Sequence, residues 1–106
     1  MNDEIESILI GEVDDIDLDC VEHFEYDDLE YAIYHLSSGF YATQGLCPCD
    51  QHGILSDGNV ENDEVECPSC GKIFSIVSGD SISNPELDRL KIFDVTVESD
   101  KLYIFL

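Results

Sequence analysis

Four cysteines in two close pairs, Cys47-x-Cys49 and Cys67-x-x-Cys70, constrain this chain more than any other feature; they sit in the stretch CPCDQHGILSDGNVENDEVECPSC. Two thiols one or two residues apart on a turn point at one centre, so the fold must bring two loops together around it. Pro48 and Pro68 stiffen the loops. Gly71 follows the last cysteine, where a backbone with few steric limits can turn amide N–H groups toward sulfur. Four thiolates on two loops suit a tetrahedral zinc ion or a 2Fe-2S cluster, and disulfides are the third use. A structural zinc usually draws two C-x-x-C arms. The shorter C-x-C arm splays its sulfurs differently, in a way that a binuclear centre accommodates.

The compartment bears on that choice. The first residues, MNDEIES, have neither the basic start nor the apolar stretch of a secretion signal, and no apolar run reaches membrane-spanning length. The expectation is a soluble, cytoplasmic protein, in whose reducing surroundings paired cysteines serve metals or redox chemistry more often than structural disulfides. With 106 residues, 43% of them hydrophobic, the chain is expected to form one compact domain over 1–106, its metal-binding subdomain at about 44–79.

The formal net charge is −21, with 25 acidic residues against Lys72, Arg89, Lys91 and Lys101. Such a field repels nucleic acid and anionic membranes, so neither is expected as a partner. A protein partner should present a basic patch; the competing use of the acidity is solubility or tolerance of salt. Aromatic and β-branched residues placed among the acids in alternation argue against disorder.

The patterning is that of strands. CVEHFEYD at 20–27 and LEYAIYHL at 29–36 are rich in aromatics and alternating or near-continuously apolar, with Asp27-Asp28 as the turn between them. Ser37-Ser38-Gly39 then turns the chain into FYAT at 40–43, completing a meander. KIFSIV at 72–77 reads as a strand ended by Ser78-Gly79-Asp80, and IFDVTVE and KLYIFL form a closing hairpin about Ser99-Asp100. Only PELDRLK, at 85–91, could make a turn or two of helix. The class is all-β, a small sandwich or barrel. Phe40, Tyr41, Phe74, Phe93, Tyr103 and Phe105 are expected in its core, Cys20 as a buried packing residue, and His23 and His35 as structural. No Ser/His/Asp set, phosphate loop or framed carboxylate pair stands out, so an enzyme is not expected.

Taken in order, FYATQGLCPC, LSDG, VECPSCGKIFSIVSG and LKIFDVTVESDKLYIF resemble the frame of a small Rieske-type ferredoxin, especially the rhizopine-catabolism group, over roughly residues 6–106. The resemblance implies stacked antiparallel sheets with a two-loop metal-binding subdomain, and an electron carrier between a reductase and an oxygenase. Where that family has C-x-H and C-x-x-H, this chain has cysteine at both histidine positions, Cys49 and Cys70. Carried across position by position, Cys47 and Cys67 would hold one iron and Cys49 and Cys70 the other. The expected cofactor is therefore an all-cysteine 2Fe-2S cluster, with a mononuclear zinc or rubredoxin-like iron on the same four sulfurs as the alternative. His52, in a loop one residue longer than the family's, is read as a surface histidine that would become a ligand only if the loop slipped. By its place in the chain, Pro85 corresponds to the loop that covers the family's cluster from a third side. Cys49, His52 and Cys70 mark the tip where a partner should dock.

Overall fold

A computed structural model describes residues 7–48, 53–82 and 89–105. Among these residues nine strands are formed: β1 (Ser7–Glu12), β2 (Cys20–Tyr26), β3 (Leu29–Leu36), β4 (Gly39–Gln44), β5 (Asn59–Glu61), β6 (Glu64–Glu66), β7 (Ile73–Ser75), β8 (Ile92–Glu98) and β9 (Lys101–Phe105). Short 3-10 turns at Val13–Asp15 and Leu55–Asp57 complete the described elements. The protein is all-β, as its sequence implies. Every strand pairing is antiparallel: a curled sheet in the order β1-β9-β8-β4-β3-β2, and a small sheet β5-β6-β7.

Three hairpins are set by local chemistry. Asp27-Asp28, Asn62-Asp63 and Ser99-Asp100 all have positive φ, between 53° and 67°, which is the double left-handed geometry of a type I′ turn. Asp and Asn tolerate that region better than other non-glycine residues, because their short polar side chains hydrogen-bond locally. A β-branched residue does not. Asp100→Val should therefore lower stability by about 1–2 kcal/mol relative to Asp100→Gly. Both variants lose the same carboxylate, so the difference between their urea midpoints isolates the backbone.

β3 explains why LEYAIYHL is almost continuously apolar. Successive side chains of a strand point to opposite faces, and here both faces are covered. Ala32, Tyr34 and Leu36 join one core cluster with Leu55, Val65, Phe74, Ile76, Leu90 and two cysteines, Cys47 and Cys67. Tyr31 and Ile33 join the other, with Ile16, Ala42, Leu102 and Ile104. The Tyr34 hydroxyl donates to Thr43 Oγ1 at 2.9 Å, and Thr43 Oγ1 donates onward to the Gln44 carbonyl, so a fully buried phenol is satisfied. Burial pushes the Tyr34 phenol above its ordinary range.

Some expectations are corrected. Of the segment proposed as helical, residues 89–91 are extended: Arg89 bridges Asp80, and the Leu90 amide donates to the Gly79 carbonyl. Residues 85–88, with Pro85, lie outside the described residues. Among the six aromatics expected in the core only Phe74 is fully buried; Phe40, Tyr41, Phe93, Tyr103 and Phe105 are half-buried, while Tyr31 and Tyr34 take the interior. Cys20 is exposed, because β2 forms an edge of the curled sheet and turns that residue outward. His35 is structural as expected: its Nδ1 lies 2.9 Å from the Ile16 carbonyl and its ring stacks on Phe40.

Candidate metal centre

The first cysteine loop leaves the end of β4. Leu46 bridges Ile54, and the Cys47 amide donates to the Gly53 carbonyl at 2.8 Å, so the loop is closed at its neck between residues 47 and 53. Cys49 and His52 lie within it, outside the described residues. The second loop connects β6 to β7. It is a tight knuckle: the Cys67 amide donates to the Lys72 carbonyl at 2.8 Å, and the Gly71 amide donates back to the Cys67 carbonyl at 3.0 Å. Gly71 sits at φ +80°, where a side chain would be strained. The amides that face sulfur are those of Ser69 and Cys70, 3.4 and 3.5 Å from Cys67 Sγ.

The two loops meet face to face. A methyl group on Gly53 would lie 2.6 Å from Cys67 Sγ and 2.9 Å from Ser69 Oγ, so only glycine lets the neck of the first loop reach the second. As a result the sulfurs of Cys47, Cys67 and Cys70 all fall within 4.8 Å of one another, with Cys47 and Cys70 3.7 Å apart. Cys47 and Cys67 are buried to about 1% exposure, whereas Cys70 is exposed. One side of the centre is thus sealed by the core and the other faces solvent, across an open cleft flanked by Asp57 and Glu66.

Soft thiolates suit iron and zinc. Around one tetrahedral ion with metal–sulfur bonds of about 2.3 Å, neighbouring sulfurs lie about 3.8 Å apart. The Cys47–Cys70 separation matches that edge. Three of the four cysteines singled out from the sequence are therefore brought together, and Cys20 is not among them. Sequence reasoning missed Gly53 and the amides of Ser69 and Cys70, whose roles depend on how two distant loops pack.

A family model described as "Rieske-like [2Fe-2S] domain" matches residues 8–105. Ferredoxin CarAc of Metapseudomonas resinovorans is 36% identical over 75 residues, 69% of this chain and 67% of that protein. The ferredoxin component of the naphthalene 1,2-dioxygenase system of Pseudomonas aeruginosa is 33% identical over 79 residues, 73% of each. Among solved structures, a chain in the complex of reduced oxygenase and oxidized ferredoxin of carbazole 1,9a-dioxygenase matches with a TM-score of 0.82 and 27% identity, covering 93% of this chain and 92% of that one.

Proposed function

The chain belongs to the Rieske-like [2Fe-2S] domain family, and on that premise we propose that it is a small electron-transfer ferredoxin whose cluster is held entirely by Cys47, Cys49, Cys67 and Cys70. The observation that carries this reading is the convergence of Cys47, Cys67 and Cys70 from two loops, in a family whose named relatives here are a ferredoxin and the ferredoxin component of a dioxygenase system. Its role is to pass single electrons between a reductase and an oxygenase or another redox partner. The order of the GLC, LSDG and ECP segments supports a place beside the rhizopine-catabolism ferredoxins. We assign the whole of 1–106 to one Rieske-like domain, with its metal-binding part at about 44–79, working in the cytoplasm.

A bound 2Fe-2S cluster supplies reversible uptake of one electron. The protein adjusts how readily that happens. Thiolates at both histidine positions add two negative charges relative to the family's ligand set, which disfavours reduction; Rieske centres span about −150 to +300 mV, and plant-type all-thiolate ones lie near about −400 mV. Amide donors from Ser69 and Cys70 offset part of that charge at Cys67. Asp57 and Glu66, beside the cleft, push the other way. They also favour a partner with a basic docking patch, whose binding should weaken as salt screens the attraction.

The alternative is a single zinc or rubredoxin-like iron on the same sulfurs, serving a binding or structural role. The 3.7 Å approach of Cys47 and Cys70 favours it, because sulfurs divided between two irons stand farther apart than those sharing one ion. Metal and sulfide analysis of protein purified without air decides between them: two irons and two sulfides per chain are expected for the cluster, and one metal without sulfide overturns it. If iron is present, the reduction potential should stay flat from roughly pH 6 to 10, since no imidazole proton is coupled to the electron. A slope across that range would return a histidine such as His52 to the ligand set.

A further inference from the structure

Gln44, the last residue of β4, bonds its neighbours through its backbone amide and through both ends of its side-chain amide. Its backbone amide donates to the Lys91 carbonyl at 2.8 Å, and its side-chain Oε1 accepts from the Lys91 amide at 2.8 Å. Its Nε2 donates to the Leu46 carbonyl at 2.6 Å. The orientation of the side-chain amide is fixed by its partners, because the Lys91 N–H can only donate and the Leu46 carbonyl can only accept.

The position gives these bonds their meaning. The β4–β8 ladder ends at Thr43 opposite Ile92, and Gln44 prolongs the grip where the strands part. Leu46 immediately precedes Cys47, and Leu90, beside Lys91, is buried in the same core cluster as Cys47 and Cys67. One side chain therefore ties the start of the first cysteine loop to the segment whose neighbour packs in the core behind the two buried sulfurs. We propose that Gln44 is a positioning residue for the metal centre: it sets where Cys47 stands relative to the second loop. The inference rests on the thiolate-centre reading, and holds for a cluster or a single ion alike.

The primary amide of Gln44 supplies both a donor and an acceptor here. Gln44→Glu keeps the acceptor for Lys91 but sets a carboxylate oxygen against the Leu46 carbonyl. Gln44→Met keeps the length and removes both bonds. The probe is cobalt(II), whose visible bands report a thiolate set whatever the native metal, titrated anaerobically into the full chain. Ile104→Val, a change in the other core cluster, serves as the control for general loosening. Both Gln44 variants should bind cobalt at least tenfold more weakly than wild type, with shifted bands, while Ile104→Val binds as wild type does. Exchange of the Lys91 amide should accelerate at least tenfold in Gln44→Met and remain slow in Gln44→Glu. If wild type binds cobalt and the Gln44 variants bind equally well, or lose no more than Ile104→Val, the assignment of Gln44 is wrong and the centre stands. If wild type gives no thiolate bands, the thiolate centre falls and the role of Gln44 with it.

Discussion

Cys67→Ser should retain less than about a tenth of the wild-type metal when purified without air, and lose the thiolate-to-metal charge-transfer absorption. Structural zinc sites bind with about 10–16 kcal/mol, so each of four thiolates accounts for roughly 3 kcal/mol, more than a hundredfold in affinity. A serine oxygen is a hard ligand and a poor substitute for iron or zinc. Position adds to this. Cys67 is buried, accepts two amide N–H groups, and lies so close to Gly53 that a side chain there would collide with its sulfur, so no water can readily take its place. Cys20→Ser is the matched control: Cys20 is exposed on an edge strand, and its loss should leave metal content unchanged. Metal analysis of the two variants side by side checks both halves. Full metal in Cys67→Ser would remove Cys67 from the ligand set.

Phe74→Ala should cost about 3–5 kcal/mol of stability, out of a total of about 5–15 kcal/mol for a domain of this kind. Phe74 is wholly buried on β7, the strand that follows the second cysteine loop. It packs in one cluster with Tyr34 and Leu36 from β3, with Leu55 and Val65, and with the buried Cys47 and Cys67. Deleting its ring leaves a cavity where the small sheet meets the large one, and close-packed neighbours refill such a space only in part. Urea unfolding of the metal-free protein, followed by far-ultraviolet circular dichroism, measures the loss without the contribution of bound metal. Phe40→Ala gives the comparison, since Phe40 is only half-buried and should cost markedly less. A loss below about 1.5 kcal/mol for Phe74→Ala would mean that the metal loops are not built on this core.

The two effects are linked. The same cluster that gives the small sheet its anchorage also encloses two of the sulfurs, so the packed core and the proposed metal centre share residues. The acidic surface works outside this core. The four basic residues are far outnumbered by 25 acidic ones, and Arg89 lies beside Asp80, Lys101 beside Glu12 and Lys91 over the Phe93 ring. Little positive charge is left to mask the carboxylates from a partner.

Much of the fold could be read from residues adjacent in the chain. The pairs Asp27-Asp28 and Ser99-Asp100 specify their hairpins because two successive left-handed residues suit few side chains. Strands β2, β3, β8 and β9 carry five to eight residues each, enough for their patterns to be recognised. β5 and β6, three residues each, were not legible, for a strand that short shows too few alternations. Their signal was the Asn62-Asp63 turn between Val60 and Val65, hidden among acids. β1 went unread as well, since its pairing with β9 joins opposite ends of the chain.

By itself the sequence determined the all-β class and the two cysteine arms, Cys47-x-Cys49 and Cys67-x-x-Cys70, because each is written in residue types a few positions apart. Only the tertiary structure decided that Cys47 and Cys70 approach within 3.7 Å, that Gly53 admits the contact, that Cys20 faces solvent and that Gln44 grips Leu46 and Lys91. Those facts depend on how segments tens of residues apart pack on a shared core, and a pattern along the chain carries no distance across it.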